Sequence, residues 1–177
     1  MLIDTHCHLD AAEFAGDRDA VVVAALAVGV SKIIIPAVEP GNFAVVRDCC
    51  LRYSNCFPAY GIHPLYLDRV NEDDLTRLKA WLITEAGGEK RPVAVGEIGL
   101  DFFIPDFDAA RQEHFFIEQL KIARDLDLPV LLHVRRAVDQ VKLMARSRGS
   151  DKFLGLPRAR TLVRRAPGSM APTPVER

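Results

Sequence analysis

The sequence contains no long hydrophobic run. Its longest apolar stretch, Ala20–Val30, has 11 residues, whereas a membrane-spanning helix needs about 20. We therefore expect no membrane span and interpret this stretch as a core helix. The first residues lead directly into Asp4 and His6 without the basic region of a secretory signal. These absences predict a cytoplasmic protein with no membrane partner.

Cysteines are few, and their spacing excludes common cysteine-based sites. The four cysteines are Cys7, Cys49, Cys50 and Cys56, and no two have the Cys-x-x-Cys spacing of zinc ribbons or redox motifs. Without a secretory context, we expect reduced thiols rather than disulfide bonds.

The chain also lacks a large net charge, since its 177 residues have a formal charge of −1. This average conceals two compositions. Residues 1–141 contain 14 basic and 22 acidic side chains, a net charge of −8, whereas residues 142–177 contain 9 basic and 2 acidic side chains, a net charge of +7. A uniformly basic nucleic-acid-binding protein is excluded, and two segments, 1–141 and 142–177, are predicted.

The basic segment 142–177 lacks Ile, Trp and Tyr, and 21 of its 36 residues are Arg, Ala, Pro, Gly or Ser. This composition predicts a largely unstructured tail. It is compatible with a nucleic-acid-binding arm, with a solvated tail, or with a change of reading frame that replaced a natural C-terminal half. The last interpretation agrees best with the motifs described below.

Residues 1–141 repeat a short β-branched apolar run, a polar loop and an amphipathic segment. The predicted strands are Leu2–Thr5, Lys32–Ala37, Phe57–Tyr60, Val93–Gly96 and Val130–His133, and the predicted helices cover residues 17–29, 41–54, 72–86, 109–126 and 135–146. Asn71 followed by Asp74 indicates a capped start of the third helix. The alternation predicts a parallel α/β fold of five βα units. Their number alone fits either part of an eight-unit barrel or a five-stranded open sheet.

A motif with metal-binding chemistry, His6-Cys7-His8, lies where the first predicted strand ends. Alternate residues of an extended segment face the same side, so His6 and His8 can converge while Cys7 points away. Two imidazoles placed in this way suit a divalent transition metal, although two surface histidines near a turn are the alternative.

Further polar residues end other predicted strands. Glu97 closes the fourth strand, and Asp101 shortly after it is interpreted as a loop or capping carboxylate. His133 and His63 end the fifth and third strands, where an imidazole can also be an ordinary packed side chain. Because the carboxyl ends of parallel strands meet at one edge, the first motif, Glu97 and His133 together predict one metal site, in which a shared carboxylate can bridge two ions.

Five motifs occur in order along residues 1 to about 141: His6-Cys7-His8-Leu9-Asp10, Gly61-Ile62-His63-Pro64, Gly96-Glu97-Ile98-Gly99-Leu100-Asp101, the helix with Arg111-Gln112, and Leu132-His133-Val134-Arg135. Together they resemble the TatD family of metal-dependent deoxyribonucleases, a branch of the amidohydrolase-type (β/α)₈ barrels. The resemblance implies a TIM-barrel fold, truncated here to about five βα units. It also implies two divalent ions of the Mg, Mn or Zn class and DNA as the substrate.

By the same resemblance, His6, His8, Glu97 and His133 are metal ligands, and His63 lies beside the substrate. The family pattern continues with a His after strand 6 and an Asp after strand 8, the latter being a metal ligand and the base for the attacking water. Neither has a counterpart in residues 142–177. The catalytic residue is therefore unknown, and we expect this chain alone to have weak or no nuclease activity.

Two other functions are compatible with these residues: an amidohydrolase acting on C–N bonds, and a non-catalytic metal- or nucleic-acid-binding fragment. A glutamate rather than a modified lysine as the bridging residue favours the nuclease. No obligate protein partner is indicated, although five strands in barrel arrangement would leave two open edges, which are prone to aggregation.

Overall fold

The computed structural model describes residues 2–147 of the chain, in which five strands alternate with five α-helices as predicted. The strands are β1 (Leu2–Asp4), β2 (Val30–Pro36), β3 (Cys56–Tyr60), β4 (Ala94–Asp101) and β5 (Val130–Arg135). The helices are α1 (Arg18–Ala27), α2 (Phe43–Arg52), α3 (Glu72–Ala86), α4 (Ala109–Asp125) and α5 (Val138–Ser147). Short 3₁₀ helices follow the first three strands at Ala12–Phe14, Pro40–Asn42 and Pro64–Arg69. Of the predicted tail 142–177, residues 142–147 belong to α5 rather than to an unstructured segment, and the rest lies outside the described residues.

The strands form one parallel sheet in the order β1-β2-β3-β4-β5, so each strand pairs with its neighbours in the chain. An open sheet of the flavodoxin type would place β1 between β2 and β3. Sequential parallel strands, each followed by a helix, are instead the arrangement of a (β/α)₈ barrel wall. The structure therefore decides between the two predicted architectures in favour of five units of a barrel. Of the described strands, β1 and β5 are the outer ones.

The fourth strand is longer than predicted. The sequence pattern ended it at Gly96, but β4 continues to Asp101, and all 8 of its residues are buried. The additional residues pair with β5, where Ile98 lies opposite Leu132. Glu97 therefore lies inside the strand and Asp101 ends it. Asp101 is not in a loop as expected, although its Oδ1 accepts a hydrogen bond from the backbone N–H of Phe103 at 3.0 Å and so caps the turn after the strand.

The apolar run 20–30 forms most of α1, but α1 is a surface helix rather than the expected core helix. Val22 is its one buried residue, whereas Val23 and Leu26 are 66% and 47% exposed. The helix follows β1, an outer strand whose three residues are all exposed. Within the described residues, α1 therefore has a neighbouring βα unit on one side only, which leaves much of its apolar surface exposed. No helix within residues 2–147 has both the length and the apolar character needed to cross a membrane.

Local hydrogen bonds explain where α3 begins. The Asn71 side chain accepts a hydrogen bond from the backbone N–H of Asp73, and Asp74 accepts one from the backbone N–H of Asn71, both at 2.9 Å. This reciprocal cap satisfies N–H groups that the first helical turn leaves without partners. The predicted capping is confirmed, and the helix covers the predicted residues 72–86.

Two buried glutamines of α4 fasten that helix to the sheet near the candidate site. Gln119 accepts a hydrogen bond from the backbone N–H of Ile62 (2.7 Å) and donates one to its carbonyl (3.1 Å). Gln112 makes the same pair of bonds with Asp101, at 2.8 and 3.1 Å. Because both side chains are almost fully buried, they satisfy backbone groups that water does not reach. The segment after β3 and the end of β4 are thereby held in place.

Gly99 permits the close pairing of β4 and β5. Its φ angle is +148°, and a β-carbon added there would lie 1.9 Å from the carbonyl oxygen of His133. We predict that Gly99→Ala separates the two strands and lowers the free energy of unfolding by about 1–3 kcal/mol or more, the usual cost of overpacking. Urea unfolding followed by circular dichroism measures the loss. Gly16→Ala is the matched control, because a β-carbon at Gly16 meets no atom within 4 Å. Equal stability of the two variants would contradict the prediction.

Candidate metal centre

Four histidines meet around Glu97 at the carboxyl edge of the sheet. His6 and His8 follow β1, His63 follows β3, and His133 lies in β5. The four residues predicted to form one site are therefore adjacent in the fold. His63 lies with them, although the sequence analysis placed it only beside the substrate.

The two histidines of the first motif converge on one carboxylate oxygen. His6 Nε2 lies 3.2 Å from His8 Nε2 and 3.1 Å from Glu97 Oε2, and His8 Nε2 lies 3.8 Å from the same oxygen. In a tetrahedral site with metal–nitrogen bonds of about 2.0–2.1 Å, neighbouring ligand atoms are about 3.4 Å apart. The three atoms thus have the spacing of a ligand set. Cys7 packs against the hydrophobic core and does not belong to this group.

The other oxygen of Glu97 faces a second pair of imidazoles. Glu97 Oε1 lies 3.0 Å from His133 Nδ1 and 3.8 Å from His63 Nε2. The rings of His63 and His133 are in edge contact, with centroids 4.2 Å apart. One carboxylate thus faces two histidine pairs, each through its own oxygen. This arrangement suits a carboxylate shared between two cations.

Electrostatics favour the protonation states that bind metals. Burial disfavours the charged form of Glu97, but hydrogen bonds with His133 and His6 and the nearby imidazole charges outweigh it and hold the pKa of Glu97 well below its usual range. Burial lowers the pKa of His63 to about 4 and also lowers the pKa of His8. At neutral pH the centre therefore contains a carboxylate anion at Glu97 and neutral imidazoles at His8 and His63, the forms that metal coordination requires.

Asp101 fixes the orientation of His133. The carboxylate is completely buried, and its Oδ2 lies 2.9 Å from His133 Nε2. A proton on Nε2 directed at Asp101 leaves the lone pair of His133 Nδ1 facing Glu97, which is the way carboxylates orient metal-binding histidines. When the ring is protonated, Nδ1–H donates to Glu97 Oε1 as well. Burial lowers the pKa of His133, but the hydrogen bonds that the protonated ring donates to Glu97 and Asp101 outweigh burial, so that pKa is raised.

The sequence analysis missed this role of Asp101, although a signal was present. Asp101 lies four residues after Glu97, and residues four apart in a strand face the same side of the sheet. Because the predicted strand ended at Gly96, Glu97 is expected at the end of the strand and Asp101 in the loop after it, where a spacing of four residues does not fix a common face. Extending the strand through Gly99 would have placed both on one face.

His63 differs from the other histidines in the hydrogen bond made by its second nitrogen. His63 Nδ1 accepts a hydrogen bond from the backbone N–H of Leu65 at 3.1 Å. The proton of the neutral ring is therefore on Nε2, the atom that faces Glu97. In this state the ring presents an N–H rather than a lone pair to the centre. The geometry agrees better with a position beside the substrate than with a metal ligand.

Asp101→Asn is expected to weaken metal binding about 10–100-fold, because an amide holds the Nε2 proton of His133 less strongly and the ring loses its orientation. Competition between the protein and a chromophoric chelator for Zn²⁺ measures the affinity. Asp125→Asn is the matched control, since Asp125 is exposed on α4 and pairs with Lys79. If the two variants bound Zn²⁺ equally well, Asp101 would have no role in the centre.

Metal affinity is also expected to rise with pH while His133 loses its proton. The raised pKa means that the metal-free protein keeps this proton at a pH where an ordinary histidine has lost it. A cation that binds His133 must displace the proton, so each pH unit below the pKa costs up to about tenfold in affinity. Calorimetric titrations with Mn²⁺ at pH 6, 7 and 8 test this, and the proton release accompanying binding should shrink as the pH rises. An affinity independent of pH would show that His133 is not a ligand.

Comparison with known proteins gives one consistent family. A model of the family described as TatD related DNase matches residues 3–160. The chain is 44% identical over 144 residues to YjjV of Escherichia coli (strain K12), named as an uncharacterized metal-dependent hydrolase, over 80% of this chain and 53% of that protein. It is 35% identical over 136 residues to the 3'-5' ssDNA/RNA exonuclease TatD of Cronobacter sakazakii, over 77% of this chain and 50% of that protein.

The crystal structure of Escherichia coli YjjV, a TatD homologue, has the same arrangement of strands and helices. Its TM-score is 0.77 at 41% sequence identity, and the match covers 82% of this chain and 55% of that chain. The chain thus spans about half the length of the curated relatives it matches. Since the family match includes most of the sequence and both histidine groups, the chain belongs to the TatD family of metal-dependent hydrolases and DNases.

Proposed function

We propose that the described residues are the metal-binding part of a hydrolase that cleaves phosphodiester bonds in DNA. The observation that carries the proposal is the position of Glu97, whose two carboxylate oxygens face separate histidine groups. In this proposal two divalent cations are held by His6 and His8 on one side and by His133 on the other, with Glu97 shared between them.

The donor set limits the identity of the cation. Three imidazoles and one carboxylate suit Mn²⁺ or Zn²⁺, whereas Mg²⁺ prefers oxygen ligands and bound water. We therefore propose two cations of the Mg, Mn or Zn class, with Mn²⁺ and Zn²⁺ favoured by the number of nitrogen ligands. The metal-dependent relatives support this assignment.

When bound, a pair of divalent cations lowers the pKa of a water molecule and neutralises the charge that develops on phosphoryl oxygens. The residues of the chain prepare the site for this chemistry. Glu97 supplies a buried anion, and Asp101 keeps the proton of His133 on the far side of the ring. The Nε2–H group of His63 is available as a donor to a phosphate oxygen of the substrate.

Nucleic acid as the substrate is supported by the names of the relatives, since the Cronobacter protein is a 3'-5' ssDNA/RNA exonuclease. The His and Asp that the resemblance places after strands 6 and 8 have no counterpart in this sequence, where no histidine follows His133. We therefore propose that this chain alone supplies most of the metal ligands but lacks the base that activates water. A cytoplasmic location stays a prediction.

With Mn²⁺ present, the purified chain is expected to cleave a labelled single-stranded oligonucleotide weakly or not at all, and any cleavage should stop when a chelator is added. The matched control is the double variant His6→Ala/His8→Ala, which removes one complete group of nitrogen ligands. Resolving the products on a denaturing gel detects slow cleavage. Robust cleavage that the double variant abolishes would contradict the proposed lack of a base.

The same samples separate the alternative functions. Turnover of a cyclic amide without cleavage of DNA would identify a C–N hydrolase and overturn the proposed substrate. DNA binding that is unaffected by His6→Ala/His8→Ala and lost on deletion of residues 142–177 would identify a non-catalytic binding fragment.

A further inference from the structure

Two adjacent arginines at the end of β5 share one aromatic ring. The guanidinium carbon of Arg135 lies 3.5 Å from the ring centroid of Phe103, and that of Arg136 lies 4.4 Å from it. Phe103 is 44% exposed, and both arginines are exposed. Cation–π contacts hold guanidinium groups in place without neutralising them. We refer to Phe103, Arg135 and Arg136 as the arginine cluster.

The positive charge of the arginine cluster is poorly balanced. Arg135 Nη1 lies 3.9 Å from Asp101 Oδ2, an oxygen that already contacts His133 Nε2 at 2.9 Å. Arg136 makes no ion pair or hydrogen bond with any of residues 2–147. By contrast, Arg52 is paired with a carboxylate at 2.8 and 2.7 Å. The two guanidinium groups therefore keep donors available for an external anion.

The arginine cluster lies beside the metal centre. Asp101 Oδ2 lies 3.9 Å from Arg135 Nη1 and 2.9 Å from His133 Nε2. One carboxylate therefore bridges the Arg135 guanidinium group and the ring of a proposed metal ligand. Arg136 has a φ angle of +54° and lies between β5 and α5. The 10-residue helix α5 begins two positions later, and its N-terminal end adds partial positive charge near the cluster.

This location matters because residues 1–141 are acidic overall, with 22 acidic against 14 basic side chains. A segment of this charge repels a polyanion on average, so a nucleic-acid strand that reaches the centre needs local positive charge along its path. Guanidinium groups match phosphate oxygens in geometry and can bind them through two parallel hydrogen bonds. Two anchored arginines, one of them without an ion pair among residues 2–147 and the other with a single long one, satisfy this need next to the metal centre.

We propose that the arginine cluster is a phosphate-binding subsite, which holds the backbone of a nucleic-acid strand next to the bond to be cleaved. This inference rests on the proposed function, because it assigns part of the same substrate to residues outside the metal shell. Arg136 is the principal phosphate contact, and Phe103 holds both guanidinium groups in position. Arg135 contributes a second positive charge that Asp101 ties to the centre.

Binding of the full chain to a single-stranded oligonucleotide tests the subsite. The fluorescence anisotropy of the fluorescein-labelled oligonucleotide gives Kd at a series of KCl concentrations. Arg136→Gln is expected to raise Kd about 3–10-fold and to reduce the slope of log K against log salt by about 0.7, the contribution of one phosphate contact on a single strand. Phe103→Leu should raise Kd in the same direction, because the guanidinium groups lose their aromatic platform. Arg91→Gln is the matched control, since Arg91 is an exposed arginine just before β4, at the opposite edge of the sheet.

The comparison of variants isolates the subsite from the other basic residues, because wild type and variants share the same segment 142–177. If Arg136→Gln and Arg91→Gln had the same Kd and salt dependence, the subsite would be excluded. Zn²⁺ affinity measured on the same samples keeps the two proposals apart. If Arg136→Gln bound both Zn²⁺ and DNA as the wild type does, the subsite alone would be rejected. If the wild type did not bind Zn²⁺, the proposed metal centre would be rejected.

Discussion

The candidate centre depends on one buried carboxylate that is used from two sides. An isolated carboxylate inside a protein is costly, and its burial is tolerated only when neighbouring groups favour the anion. Here the neighbouring groups are four histidines, two near Oε2 of Glu97 and two near Oε1. Because both histidine groups interact with the same residue, neither group is independent of the other. A change at Glu97 therefore acts on both halves of the centre.

The fold places this carboxylate through contacts that are not themselves part of the centre. Gly99 lets β5 approach β4 closely enough for His133 to reach Glu97. Gln112 of α4 holds the backbone of Asp101, and Asp101 in turn orients the His133 ring. Because all four strand pairs are parallel, the carboxyl end of β1, which leads to His6 and His8, lies at the same edge of the sheet as the carboxyl ends of β4 and β5. Stability of the sheet and geometry of the centre are therefore coupled.

The sequence predicted the elements of the fold and which side chains meet at the candidate site, because both have strong local signals. Alternating apolar runs and helices indicated the five units, and the His-x-His spacing indicated convergence of His6 and His8. The features that the sequence did not predict depend on contacts between segments that are distant in the chain or on the surroundings of a single side chain. The extension of β4 through Asp101 requires pairing with β5, and the exposure of α1 follows from its place next to an outer strand. The tautomer of His63 depends on the hydrogen bond from Leu65.

Electron paramagnetic resonance during a titration with Mn²⁺ tests most directly whether Glu97 is shared between two cations. We expect two Mn²⁺ ions per chain and a spin-coupled spectrum, because cations in two-metal sites lie about 3.5–4 Å apart. Glu97→Gln should abolish the coupled signal and weaken both sites. One Mn²⁺ ion per chain, two ions without coupling, or a coupled pair that persists in Glu97→Gln would contradict a centre built on this carboxylate.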